Sequence, residues 1–253
     1  MRPRSVLITG ASRGIGAALA RAYAAPGVTL GLLARDETAL QAAAETCRRA
    51  GAAAVPIPAD IRDRNGMRER LLAFDAEHPV DLAIANAGMQ LPTGDDAATE
   101  RATYGEIEVN LLGALNSVLP LIPPMRARGA GQIAFVSSLA GLAPLPDSPG
   151  YSASKAALIA YGLATRERLR EAGIKVSIAC PGYVVTDMGD RYKGWRPLSM
   201  SAERAAEHIL RGLERDRPII AFPRSLALLA RLSMLVPEPV RRPFMGGFRF
   251  TYE

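Results

Sequence analysis

Histidine and cysteine are nearly absent from this chain. Its 253 residues hold two of each: His78 and His208, Cys47 and Cys180. Two histidines leave little room for a histidine-dependent triad or a multi-histidine site, and no metal is expected. Two cysteines far apart in the chain make neither a zinc ribbon nor a CxxC redox pair. They build no disulfide framework either, which suits a reducing compartment and a cytoplasmic location. Lysine is scarce as well. Only Lys155, Lys175 and Lys193 occur among 31 basic residues; the remaining 28 are arginines, set against 25 acids for a net charge of +6. These arginines are scattered among acids (Arg48-Arg49, Arg62 to Arg70, Arg166 to Arg170), as on a solvated mixed surface. Nucleic acid would call for a clustered basic stripe; none is visible, so no nucleic-acid partner is expected. Long apolar runs are missing too. None reaches the ~18 residues that a membrane-spanning helix needs, and the greasiest segment, 225–236, is short and interrupted by Arg231. At the start, Met1-Arg2-Pro3-Arg4 precedes only Val6-Leu7-Ile8 before Thr9-Gly10, so no secretory leader is expected.

What is present is an ordinary globular balance, 49% hydrophobic and 22% charged. Short apolar runs alternate with longer helical patterns. The strand-like runs are Ser5-Ile8, Thr29-Leu33, Ala54-Ile57, Leu82-Ala85, Gly131-Val136, Lys175-Ala179 and Ile219-Phe222. They are apolar at successive positions, as strands covered on both faces should be. Helical patterns lie between them at 15–25, 37–50, 64–77, 99–126, 150–172 and 202–215. This order predicts an α/β fold, a doubly wound parallel sheet of about seven strands with helices on both faces. Residues 1–222 read as one domain. From 223 to 253, prolines break the rhythm and the chain reads as an appendage packed on that domain, at the substrate mouth, in a subunit interface or close to a membrane.

The first strand runs into Thr9-Gly10-Ala11-Ser12-Arg13-Gly14-Ile15-Gly16 and then a helix. Glycine at 10 permits a tight turn, Gly14 lets backbone approach a pyrophosphate, and Gly16 lets the helix pack on the sheet. The helix start would offer free N–H groups and positive dipole to phosphates. Glycines alone mark any turn; the strand, loop, helix context is what points to a dinucleotide. At the end of the second strand an acid would bind the ribose hydroxyl of NAD. Here the chain reads Leu33-Ala34-Arg35-Asp36. Arg35, with Arg13 in the loop, suits a 2'-phosphate gripped by charge-assisted bonds. NADP(H) is therefore preferred and NAD(H) is the alternative, which Asp36 would serve if it turned inward.

Tyr151-Ser152-Ala153-Ser154-Lys155 opens a later helix. Residues four apart share a helical face, so Tyr151 and Lys155 point the same way. A phenol titrates near 10, and a nearby ammonium favours its ionised form. That combination makes a general acid/base. Upstream, Ser138 closes the strand ending at Val136, at the end of a parallel sheet where ligands bind.

In these motifs the chain resembles the short-chain dehydrogenase/reductase family. The pattern TGxxxGxG falls on Thr9 to Gly16, and the NAG motif on Asn86-Ala87-Gly88, preceded by Ala85. The active-site Asn matches Asn110, the Ser and YxxxK match Ser138, Tyr151 and Lys155, and the PG motif is Pro181-Gly182 with Val184 and Thr186 following. Asp60 matches the acid beside the adenine, next to Ile61. The matching motifs span residues 5 to about 190. The resemblance implies hydride transfer between nicotinamide and a carbonyl or secondary alcohol. Tyr151 would move the proton and Ser138 would polarise the carbonyl. Lys155 would hold the nicotinamide ribose and lower the Tyr151 pKa. Asn110 would kink its helix and support a water path. The cofactor would lie along Gly10, Ser12, Arg13, Gly14, Ile15, Gly16, Arg35, Asp60, Ile61, Asn86, Ala87, Gly88, Tyr151, Lys155, Pro181, Gly182, Val184 and Thr186. A homo-oligomer formed through the helices at 99–126 and 150–172 is also implied.

The substrate side is less defined. Thr186 to Met200 reads as a lid over a small-molecule carbonyl or alcohol, with Met188, Tyr192 and Trp195 in it. Gln90, Leu142, Leu145 and Tyr183 would line the pocket. Arg191, Lys193 and Arg196 offer charge to an anionic group, although a solvated loop surface explains them better. Two other readings stand beside the reductase. One is an NADP(H)-binding sensor without turnover. The other is a membrane-surface reductase of a lipid, using the apolar helix and the arginines after Pro223 for peripheral contact.

Overall fold

The computed structural model of the protein describes residues 3–186, 192–193, 196–245 and 251–252, with side chains across 3–186 and 196–241. Seven strands form one sheet: β1 (Ser5–Thr9), β2 (Thr29–Ala34), β3 (Ala53–Pro58), β4 (Leu82–Ala85), β5 (Gly131–Val136), β6 (Ile174–Pro181) and β7 (Ile219–Phe222). Their spatial order is β7-β6-β5-β4-β1-β2-β3, and every pairing is parallel. All seven expected strands are present.

The reason these strands carry no polar alternation is burial on two sides. Val6 and Ile8 of β1 pack with Leu19, Leu40 and Ile209, from the helices Gly14–Tyr23, Glu37–Arg49 and Ala202–Glu214. Leu7, between them, packs on the opposite face with Met67, Phe74 and Leu158, from Arg64–Glu77 and Pro149–Leu169. At Gly31 the Phe74 ring takes the space of a side chain, since a Cβ there would come within 2.8 Å of it. The sheet thus has one core on each face.

The expected single helix at 99–126 is a correction. An α-helix, Asp96–Ile107, passes into a π-helical segment, Glu108–Gly113, then a short helical turn at Ala114–Asn116. A 3-10 turn, Leu119–Leu121, separates it from Ile122–Arg128. Pro120, Pro123 and Pro124 lack the N–H that a continuous helix requires, so the chain restarts there. By length and composition alone, Asp96–Arg128 is apolar enough to cross a membrane, which the count of apolar runs missed. Here Ala114, Val118, Leu121 and Met125 are buried in the sheet's second core.

After β7, the helix Arg224–Ser233 lays Leu226 and Ala227 against Leu139, Ile178 and Cys180 beside β6. Leu142 belongs to this cluster and does not line the cleft described below. Met200 packs on the first core, and Tyr192–Lys193 pairs antiparallel with Thr251–Tyr252.

Candidate active site

Strand order reverses between β1 and β4, so the helices leaving them diverge to opposite faces and open a crevice at their carboxyl ends. The cleft there has a volume of about 1030 Å³. The bend after β1 forms its floor. Gly10 and Gly14 have φ of +67° and +55°, a region in which side chains are strained. A Cβ on Gly10 would press on Ala87 Cα at 2.9 Å, and one on Gly16 would strike the Gly10 carbonyl. Gly16 therefore packs under the bend and is not part of the cleft wall, unlike Gly10, Ser12, Arg13, Gly14 and Ile15. The helix that follows has no side-chain cap and no acid in its first turn. Its leading N–H groups keep their affinity for an anion. The residues present thus fit a dinucleotide diphosphate.

The bend is held by a residue whose work was not evident from the motif. Thr9 Oγ1 accepts the backbone N–H groups of Asn86 and Ala87, both at 3.1 Å. Asn86 returns the tie, its Nδ2 donating to the Thr9 carbonyl at 2.9 Å. These bonds stitch the ends of β1 and β4 together, and Asn86, Ala87 and Gly88 line the cleft.

Arg35 lines the same cleft, as do Asp60 and Ile61. Asp36, the acid that would serve a ribose hydroxyl, also lines the cleft, and its Oδ1 accepts the Ala39 N–H at 3.0 Å to cap the helix Glu37–Arg49. Asp60 is paired with Arg62 at 2.6 Å. The hydrogen-bonded Arg62 guanidinium holds its carboxyl below the usual range, with further help from Arg35.

Across the cleft, the helix Pro149–Leu169 presents Tyr151 and Lys155 on one face. Ser138 stands beside the Tyr151 phenol in the cleft, and Ser138 Oγ accepts the Ala140 N–H at 3.1 Å. Lys155 is 3% exposed. Its Nζ donates to the Val136 carbonyl at 3.0 Å and lies 5.6 Å from the Tyr151 ring centre. Burial lowers its pKa to about 8. Burial also pushes the Tyr151 phenol up, against the Ser138 hydroxyl that lowers it. The expected lowering by Lys155 is not what dominates in this structure: removal from water penalises phenolate and ammonium alike.

Asn110 is completely buried and does not line the cleft. It sits in the π-helical segment, so its helix is distorted as expected. Its amide grips one residue from both sides: Oδ1 accepts the Met89 N–H at 2.7 Å and Nδ2 donates to the Met89 carbonyl at 2.8 Å. Gly88 lies between Asn110 and Lys155, where a Cβ would approach Oδ1 and Nζ to 3.1 and 3.2 Å.

Pro181, Gly182, Val184 and Thr186 border the cleft, and Thr186 sits against Gly14. Of the expected substrate residues, Gln90, Leu145 and Tyr183 line it, as does Arg196. Burial pushes the Tyr183 phenol up to about 12. Met188, Arg191 and Trp195 lie outside the described residues. The far wall is built by Leu139, Leu226, Leu229, Leu232 and Val236, mostly from the segment after Pro223 read as packed near the substrate mouth, although none of these residues was named as pocket lining. The apolar run at 225–236 was its only signal.

The comparisons agree with this geometry. A family profile described as short chain dehydrogenase matches residues 4–197. An uncharacterised oxidoreductase of Myxococcus xanthus is 33% identical over 241 residues, covering 95% of each chain. The structure is similar to a short-chain dehydrogenase from Sphingobium yanoikuyae in complex with NADPH, with TM-score 0.80, 27% identity, and coverage of 97% of this chain and 96% of that one. A second neighbour, a short-chain dehydrogenase/reductase from Burkholderia phymatum in complex with NAD, shares the fold at TM-score 0.83, 24% identity, and coverage of 92% and 93%. The family profile spans most of the chain, and the chain belongs to the short-chain dehydrogenase/reductase family of oxidoreductases.

Proposed function

We propose that this protein reduces a carbonyl compound, or oxidises the corresponding secondary alcohol, with NADP(H) preferred over NAD(H) and Tyr151 as general acid/base. One observation carries the reading: Ser138, Tyr151 and Lys155 meet in the same cleft as the glycine bend and the uncapped helix. The bend and helix start would hold the diphosphate, and Arg13 and Arg35 the 2'-phosphate. With Asp36 engaged as a helix cap, the edge of the site favours a phosphate over a free hydroxyl. The bound nicotinamide supplies the hydride.

The chain's own residues do the remainder. The Ser138 hydroxyl, beside the phenol, orients a substrate oxygen next to it. Tyr151 gives its proton to that oxygen during reduction and takes one during oxidation. Lys155, buried beside the phenol with a pKa brought to about 8, carries a charge at neutral pH that favours proton release from Tyr151 when water is excluded. The apolar wall of Leu139, Leu226, Leu229, Leu232 and Val236 would exclude water and take the non-reacting part of the substrate. A bulky apolar carbonyl compound fits it best.

The test is a panel of aromatic and long-chain aliphatic carbonyl compounds, followed through loss of NADPH absorbance. Tyr151→Phe should lose turnover by at least ~100-fold and still bind NADPH. A Tyr151→Phe protein that turns over at the parental rate would overturn the reading. A parent that binds NADPH and reduces nothing would favour a sensor.

A further inference from the structure

Glu106 is an ionisable group to which the proposed chemistry gives no task. It is 0% exposed, in the second-last position of the helix Asp96–Ile107. A buried carboxylate is costly unless hydrogen bonds hold it. One oxygen is held: Oε1 accepts the Leu91 N–H at 2.8 Å. The other, Oε2, is buried and completes no hydrogen bond of full geometry. It lies against the first turn of the helix that carries Tyr151. A Cβ on Gly150 would come within 2.7 Å of Oε2, and the Tyr151 backbone N–H acts on the same carboxylate. Gly150 has room for no side chain because Thr103 and Glu106 stand in its place.

One helical turn further, Asn110 grips Met89. Glu106 and Asn110 thus fasten Leu91 and Met89, on either side of Gln90, which lines the cleft. Gln90 in turn donates to Ser148 Oγ at 2.7 Å, at the start of the Tyr151 helix. The loop that carries Gln90 and the turn that carries Tyr151 have one carboxylate in common.

Resting on the reading above, we propose that Glu106 is a positioning residue, whose buried carboxylate fixes the first turn of the Tyr151 helix against the substrate-side loop Met89–Leu91. The N–H groups at a helix start favour a negative charge beside them. Burial pushes the Glu106 carboxyl up, and the Leu91 and Tyr151 N–H groups oppose that rise. The titratable group that faces it from the adjoining helix is Tyr151. Its negative charge also opposes ionisation of the Tyr151 phenol.

Glu106→Gln keeps the shape but cannot serve both contacts. An amide offers one acceptor, so either Leu91 or the helix start faces an N–H donor. In the full-length protein, amide hydrogen exchange over 89–91 and 149–152 should quicken about tenfold in the variant. Unchanged exchange would overturn the tether whether or not a substrate is known. In turnover with NADPH and the best carbonyl of the panel, kcat should fall about tenfold while cofactor affinity holds. Without the neighbouring charge the phenol ionises more easily. The alkaline limb of kcat/KM for reduction should therefore move down by roughly one pH unit. Quickened exchange with parental kcat and an unmoved limb would reduce Glu106 to a packing role and overturn the inference. If Tyr151→Phe turns over normally, it is the general acid/base reading that falls instead.

Discussion

Arg35 stands where one side chain decides between two cofactors. Its guanidinium lines the cleft at the end of β2, and the neighbouring Asp36 is occupied in capping a helix. A phosphate would gain a charge-assisted bond there, about 2 kcal/mol, which is roughly 30-fold in affinity. Arg35→Asp should therefore weaken NADPH by about that factor in calorimetric titration and leave NADH within a few-fold. Equal losses for both would refute the assignment. Residues such as Arg35, Gly10 and Tyr151 were legible in the sequence because each sits in a short pattern whose spacing carries its geometry. Thr9 in its stitching role and Glu106 were not. Thr9 works on Asn86, 77 positions away, and Glu106 on Leu91, 15 away. No local spacing encodes a contact that exists only after the sheet has assembled. Leu142 misled for a related reason: an apolar side chain near a motif looks the same whether it lines a cleft or a core.

At the scale of elements, strands were the easier part, since a covered parallel strand writes itself as an unbroken apolar run. The segment 99–126 was harder. Its prolines were visible, but the π turn around Asn110 serves a side-chain grip on Met89 and leaves no periodic trace. Contacts between helices were equally hidden, and one of them makes a measurable claim. Asp75 of Arg64–Glu77 is 5% exposed and accepts both Arg128 Nη1 and Nη2, at 2.8 and 2.9 Å, along with the Val80 N–H. Arg128 closes the helix Ile122–Arg128, so the fork fastens two helices of the same face. Removing one partner strands a buried charge. Arg128→Ala should lower the free energy of urea unfolding by about 3 kcal/mol. The double variant with Asp75→Asn, which keeps an acceptor for Val80, should recover part of that loss. A loss below about 0.5 kcal/mol for Arg128→Ala would mean the pair behaves as a surface bridge.

For the molecule as a whole, the surface of the long helical stretch opposite its buried side raises the question of assembly. Tyr104, Leu112 and Leu119 are 70%, 50% and 42% exposed. They recur along Asp96–Leu121, through its π-helical segment and the turns that follow, as an interrupted apolar stripe. Single exposed apolar residues are ordinary; a row of them along one element marks a contact surface. A second copy of the chain is the natural occupant, because helix against identical helix is the simplest isologous contact about a two-fold axis. We propose that the protein is a homo-oligomer joined along this stripe. Leu112 lies on it and is absent from the cleft wall, so a charge placed there should act on assembly alone. Leu112→Arg buries two like charges in an isologous interface, one from each copy. Sedimentation velocity at micromolar concentration should then show a dimer or tetramer for the parent and a monomer for the variant, with NADPH affinity preserved. A monomeric parent would refute the assembly itself, and a variant that assembles as the parent does would place the contact elsewhere; either leaves the stripe as plain surface.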